Sequence, residues 1–266
     1  MNATIPNILE EIVAHKRQEV GQRKELYPVK LLEQSIYYSA PCVSLKEYLV
    51  RPDMSGIIAE FKRKSPSKPK INLYADVEKV TIGYMQAGAS ALSVLTDEQY
   101  FSGTSQDLTT ARKFNYCPIL RKDFIIDEYQ IIEARSIGAD AILLIAECLT
   151  KGEIEGFSKV AQDLGMEVLC ELHSEDQLEK IPDNIELLGV NNRDLKTFET
   201  TIENSIRIKS AIPAGKTAVS ESGIRTVEDI KRLKEHGFEG FLIGELFMKE
   251  DEPEVAAHNF IKALRE

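Results

Sequence analysis

Five short apolar runs in this chain end in residues of the acid–base kind: Glu60 with Lys62 two positions on, Lys122, Glu171, Asn191 and Glu221. Side chains of an extended strand alternate between its faces, so residues two apart share one. Glu60 and Lys62 then share a face, as do Lys122 with Leu120, Glu171 with Leu169, Asn191 with Gly189 and Glu221 with Val219, while Arg121 and Asp123 point the other way. One charge at a strand end reads as a solvated rim residue or a salt-bridge member. The same placement on five strands, confined to Lys, Glu and Asn, reads as a site. Two lysines and three carboxylates in one partly dry cavity suit proton transfer in both directions. Desolvation there is expected to lower the lysine pKa values and to raise those of carboxylates that no cation compensates.

The elements that must gather these residues follow one rhythm from residue 56 onward: a β-branched or leucine-rich run, a polar loop, then a helically periodic segment. The runs are GIIAEF (56–61), ALSVLT (91–96), PILRKD (118–123), AILLIA (141–146), EVLCEL (167–172), LLGVNN (187–192), KTAVSES (216–222) and GFLIGE (240–245), eight in all. Thr150 with Glu153, Ser174 with Gln177 and Thr226 with Asp229 have the spacing of a capping box. Gly138, Gly165 and Gly237 stand just past periodic segments, where a left-handed residue ends a helix. Val227, Ile230 and Leu233 give one helix an inward stripe. Alternating strands and helices imply parallel strands joined by right-handed crossovers. Eight units, with no glycine-rich dinucleotide loop after the first, favour an α/β fold of the (β/α)8 TIM-barrel type over an open doubly wound sheet. The first 50 residues stand outside the rhythm; Ile5, Ile8, Leu9, Ile12 and Val13 mark an amphipathic helix there. No low-complexity linker separates this helical extension, so residues 1–266 are expected to form a single domain with the extension packed on the barrel.

In such a barrel the chemistry collects at the carboxyl ends of the strands, and the loops after strands seven and eight commonly hold a phosphate through main-chain N–H groups. Those loops are Ser220-Glu221-Ser222-Gly223-Ile224 and Ile243-Gly244-Glu245. Gly223 and Gly244 are read as the phosphate cradle, with Lys62 or another cation of KRKSPSKPK (62–70) as counter-charge; the alternative for that run is a solvated loop. His15, His173, His236 and His258 show no metal-ligand spacing, although His173 lies two residues past Glu171 and is expected near the mouth. Asp97 and Asp107 read as isolated loop and helix-end residues, and Phe61, Phe101 and Phe114 as packing. Phe124, close behind Lys122, is the candidate for an apolar wall against an aromatic substrate.

Composition bounds the rest. The chain has 266 residues, 43% hydrophobic and 29% charged, with 33 basic and 43 acidic residues for a net charge of −10. Disorder, collagen and a disulfide-stapled miniature are excluded. No apolar stretch approaches the roughly 20 residues of a membrane span, Glu10 and Glu11 interrupt any secretory signal, and the acidity speaks against nucleic-acid partners. The expected setting is the cytosol, with no membrane partner. Cys42, Cys117, Cys148 and Cys170 show no C-x-x-C spacing and read as packing.

The strings AEFKRKSPS (59–67), PILRKDFIIDEYQIIEARSIGADAILLIA (118–146), GVNNRDLKTF (189–198), AVSESGI (218–224) and FLIGELFM (241–248) occur in the order of the indole-3-glycerol phosphate synthase family, which the chain resembles through nearly the whole barrel. The resemblance implies ring closure of 1-(2-carboxyphenylamino)-1-deoxyribulose 5-phosphate with loss of carbon dioxide and water, in tryptophan biosynthesis, with no cofactor and no metal. It implies Lys122 as the general acid at the ketone oxygen and Glu171 as the second acid–base group, serving dehydration. Glu60, Lys62, Asn191 and Glu221 resemble the polar ring around the substrate, with Lys62 close to the phosphate. Ser65 and Ser222 resemble substrate-contacting serines, and Gly223 and Gly244 the phosphate-cradling backbone. How acid and base duties divide among these groups is not set by the match. Two departures stand out: Lys64 and Pro69 fall in a loop that closes over substrate in the family, and Glu245 follows the phosphate glycine where some members have Ser, so that its N–H can donate while its carboxylate must turn away. A small phosphorylated substrate is the expected partner, and a monomer the expected state, with a homodimer as the alternative. Another sugar-phosphate barrel, such as phosphoribosylanthranilate isomerase, would keep the phosphate loops without needing Glu60, Lys62, Lys122 and Glu171 together. A non-catalytic barrel would be expected to have lost them.

Overall fold

Each of the eight apolar runs forms a strand, and each strand pairs in parallel with the next until the last meets the first. The computed structural model describes residues 8–194 and 199–266; Ile5 and positions 195–198 of the GVNNRDLKTF string lie outside the described residues. The strands are β1 (Ile57–Phe61), β2 (Ala91–Leu95), β3 (Ile119–Lys122), β4 (Ala141–Ile145), β5 (Glu167–Leu172), β6 (Leu187–Asn191), β7 (Thr217–Glu221) and β8 (Gly240–Ile243), in a closed barrel. Closure comes from β1 against β8, with Ile58 opposite Leu242. This is the (β/α)8 architecture read from the rhythm of the chain.

Helices α1 (Ile8–Leu26), α2 (Val29–Leu32) and α3 (Leu45–Val50) precede the barrel. α4 (Val77–Ala87) follows β1; α5 (Glu98–Phe101) and α6 (Ser105–Phe114) follow β2; α7 (Glu128–Ser136) follows β3 and α8 (Lys151–Asp163) follows β4. After β6, β7 and β8 come α9 (Glu203–Lys209), α10 (Val227–Glu235), and the pair α11 (Glu245–Met248) and α12 (Pro253–Arg265). Thr150 and Thr226 close capping boxes with Glu153 and Asp229, and Gly138, Gly165 and Gly237 take positive φ.

The third expected capping box does not form. Ser174 makes no side-chain cap, and a 3-10 helix, Glu175–Lys180, replaces the α-helix between β5 and β6. Gln177 is spent elsewhere: its carbonyl accepts from the His173 N–H at 2.8 Å and its amide donates to Glu147.

Strand parity separates two apolar layers. Ile58, Leu120, Leu143, Leu169, Leu187, Val219 and Leu242 fill the barrel interior, and the opposite faces of the same strands meet the helices. Leu45 and Leu49 of α3 join the interior set and plug its amino end. α1 works at the other end. Its Leu9 and Ile12 are buried, Ile8 and Val13 half-buried, and Lys16, 1% exposed, enters the protein beneath the rim. Burying a leucine or isoleucine contributes about 1.5–3 kcal/mol, so these contacts tie both ends of the extension to the barrel.

Candidate active site

The inward parity expected for the strand ends is observed. Leu120, Leu169 and Val219 lie in the interior layer, and the residues two positions on, Lys122, Glu171 and Glu221, line one chamber at the carboxyl end with Glu60, Lys62 and Asn191. Registers set their heights: Asn191 is level with Glu221 on the neighbouring strand, and Ile145 with Glu171. Arg121 points outward, donating to Glu133 at 2.7 Å, to Asp123 at 3.0 Å and to Thr96 at 3.0 Å.

At the centre the Lys122 ammonium lies 3.0 Å from Glu171 Oε2 and pairs still more closely with Glu221. Burial works to strip its proton, but Glu221, Glu171 and Glu60 outweigh burial and hold the Lys122 pKa above the ordinary lysine value. The expected lowering is thus reversed, because carboxylates rather than cations face this amine. One ammonium cannot compensate two carboxylates. Burial would raise Glu171, yet Lys122, His173 and a hydrogen bond from Asn191 prevail and hold it below the usual range. Burial and the charge of Glu171 push Glu221 above that range despite Lys122. Among the described residues Glu221 Oε1 has no hydrogen-bond partner. Beside this triad, Lys62 Nζ pairs with Glu60 Oε1 at 2.7 Å.

The chamber has a volume of about 160 Å³. Its apolar side is built from Leu95, Leu143, Ile145 and Leu242 of the barrel, from Ile8, Leu9 and Ile12 of α1, and from two rings, Phe101 and Phe124, tilted against each other with centroids 6.0 Å apart. Phe124 takes the wall position expected of it; Phe101, read as packing, shares it. Phe61 is buried as expected, whereas Phe114 is 38% exposed beneath the Lys113 ammonium and is no packing residue. Ser65 and Ser222 also line the chamber.

A second cavity of about 290 Å³ opens beside it, with Glu60, Lys62, Arg193, Ser222 and Leu242 as common walls. Gly223 and Gly244 line this annexe, as the two strand-end loops require. Gly223 has φ 74° and Ser222 φ 67°, so the chain turns sharply past β7. Gly244 has a steric task as well: a Cβ there would lie 2.6 Å from Glu60 Oε1. Glu245 lines the annexe too, and its carboxylate pairs with Lys68 and, at 3.7 Å, with Arg193, another annexe residue.

The basic run is not a free solvated loop. Arg63 pairs with Asp107 at 2.7 Å, Lys64 Nζ donates to the Gln99 carbonyl at 2.7 Å, and Ser65 and Lys68 exchange backbone hydrogen bonds around Pro66-Ser67. Asp107 and Asp97 are therefore not isolated. Asp97, 0% exposed, holds Lys16 Nζ at 2.8 Å, and Lys16 reaches Asp123 at 3.0 Å. His173 faces the chamber, its Nε2 3.5 Å from Glu171 Oε1. Arg193, which lines both cavities, is not among the residues singled out in the sequence; its signal was available, since it stands two residues past Asn191 as Lys62 stands two past Glu60. Phe101 carried no such signal, because a short helix brings it in.

A closed parallel barrel with an ammonium between two carboxylates on one rim, an apolar chamber above and a glycine-lined basic annexe beside it defines a TIM-barrel enzyme of the acid–base type. The family model of indole-3-glycerol phosphate synthase matches residues 9–260. Among curated proteins, indole-3-glycerol phosphate synthase of Bacteroides thetaiotaomicron is 48% identical over 259 residues, covering 97% of this chain and 99% of its own. That of Carboxydothermus hydrogenoformans is 43% identical, covering 92% and 96%, and that of Acinetobacter baylyi 41%, covering 94% and 93%. The chain belongs to the indole-3-glycerol phosphate synthase family.

Proposed function

We propose that this mouth converts 1-(2-carboxyphenylamino)-1-deoxyribulose 5-phosphate to indole-3-glycerol phosphate, a carboxy-lyase reaction of tryptophan biosynthesis. The aryl ring lies in the apolar chamber between Phe124 and the α1 side chains, with Ser65 and Ser222 touching the bridging polar atoms. The phosphate lies in the annexe, held by Gly223, Gly244 and the Glu245 N–H and neutralised by Lys62.

Carbon–carbon bond formation joins the carboxyl-bearing ring carbon to the ketone carbon, and Lys122 protonates the ketone oxygen as it becomes a hydroxyl. Carbon dioxide then leaves with its bonding pair returning to the ring. In the dehydration Glu171 takes a proton from the methylene beside nitrogen while the hydroxyl departs as water, its second proton supplied from the ammonium side of the mouth. Glu60, Asn191 and Glu221 orient the lysines and the substrate hydroxyls. What carries this reading is the charged Lys122 ammonium facing an apolar chamber from between two carboxylates: an acid ready at neutral pH, next to a base. All of these groups come from one chain, which supports a monomer as the working unit, with extension and barrel acting as a single domain. Among the described residues no helix is long and apolar enough to cross a membrane, which accords with work on a phosphorylated metabolite in the cytosol.

The test mixes purified protein with the substrate and follows indole absorbance and fluorescence; the chain has no Trp, so the background is low. Lys122→Ala is expected to reduce turnover by at least about 10²–10⁴-fold, the usual share of a general acid, with ligand binding largely kept. Near-normal turnover in that variant would refute the assignment.

A further inference from the structure

Glu245 is acidic at a place where the proposed substrate brings a phosphate. It opens α11 directly behind Gly244 and lines the annexe with Lys62, Arg193 and Gly223. Its carboxylate is only 30% exposed and spans two loops, meeting Lys68 from the loop after β1 and Arg193 from the loop after β6. Arg193 in turn donates from Nη1 to Ser67 Oγ at 3.1 Å, so that both residues grip the same turn. The two lysines that line the annexe already have partners: Lys62 has Glu60 at 2.7 Å and Lys249 has Glu250 at 3.7 Å. Burial tends to raise the Glu245 pKa, but Lys68, Lys62 and Arg193 outweigh it and keep the group ionised.

A carboxylate and a phosphate dianion cannot share one set of cations without strong like-charge repulsion. We propose that Glu245 is a positioning residue that stands in for the substrate's phosphate in the free enzyme: it holds Arg193 and Lys68 over the annexe, and an arriving phosphate takes these cations over and turns Glu245 out. This rests on the annexe being the phosphate site. The exchange gives the loop after β1 a partner both before and after binding, and it costs affinity, because each phosphate must displace an existing ion pair.

The experiment measures competitive inhibition by inorganic phosphate in the native enzyme, Glu245→Gln and Glu245→Ser, together with tryptic cleavage after Lys70 in ligand-free protein. Removing the internal anion is expected to lower the inhibition constant about two- to fivefold, the scale of a partly exposed ion pair, and to speed cleavage of the loop. A gain in affinity is a readout that mere structural damage would not produce. Lys68→Gln should speed cleavage without that gain. Equal or weaker inhibition in both Glu245 variants overturns the stand-in role alone. Absence of competitive inhibition in all proteins, the native enzyme included, overturns the phosphate reading and the stand-in with it.

Discussion

The carboxylate of Glu221 occupies the space that a side chain on Gly189 would need. The two residues sit on neighbouring strands, one layer apart, and a Cβ built on Gly189 would overlap Glu221 Oε1 and come within 3.4 Å of Leu169. Gly189 shares the inward parity of Asn191, and its missing side chain is what lets Glu221 lean across the barrel to Lys122.

Gly189→Ala is therefore expected to act on catalysis through Glu221. Overpacking at this depth costs about 1–3 kcal/mol of stability. Displacing the hydrogen-bonded partner of the central ammonium by a fraction of an ångström to an ångström should lower kcat on the order of 10²-fold. Steady-state kinetics beside a denaturant titration check this: a variant with the stability loss and an unchanged kcat would show that the position of Glu221 is unimportant.

The Glu221 carboxyl gives stability a distinctive pH dependence. Its folded pKa is raised to about 8, against an ordinary glutamate value of about 4.3. Between these values the folded protein keeps a proton that the unfolded chain has released, so this group makes stability fall as pH rises through that window. Glu171 does the opposite, its contribution being present above the ordinary value and lost as pH falls below it. Glu221→Gln cannot release a proton. Its unfolding free energy, compared with the native enzyme, should improve by up to about 1.4 kcal/mol per pH unit from about pH 5 to pH 8. A difference that stays constant over that range would mean that Glu221 is ionised throughout.

The parts of the site that follow from local chemistry were legible in the sequence. Inward parity at Lys122, Glu171 and Glu221 depends only on the two-residue period of a strand, and the ends of α8 and α10 only on residues three or four apart. What depends on partners across the barrel was not. The proton affinity of Lys122 is set by carboxylates 49 and 99 residues away, and its direction came out reversed. Gln177 left its expected cap for Glu147 on another loop. Lys16 sits in the solvent-like string HKRQEV, and only the docking of α1 shows that its charge is buried against Asp97 and Asp123.

That buried lysine also braces the backbone next to Lys122. Asp123 Oδ1 receives Lys16 Nζ at 3.0 Å and the Phe124 N–H at 2.8 Å, so one carboxylate fixes the backbone between Lys122 and the aromatic wall. Lys16→Met would leave Asp97 and Asp123 in a dry site with less compensation, a loss of about 3–5 kcal/mol. Burial favours the neutral form of Asp123, but Lys16, Arg121 and Thr96 prevail and hold its pKa below the ordinary value. Its contribution is thus present above the ordinary aspartate value of about 3.9 and lost as pH falls through the lower folded value. Without Lys16 that depression shrinks, and acid unfolding should begin at a higher pH. The same helix supplies Ile8, Leu9 and Ile12 to the chamber, so KM is expected to rise more than kcat falls. Acid-unfolding curves and kinetics on the one variant test both halves, and Lys16→Arg, which keeps the charge, should recover part of each; equal acid midpoints in native and Lys16→Met protein would show that the Lys16–Asp123 pair does not hold the carboxylate ionised.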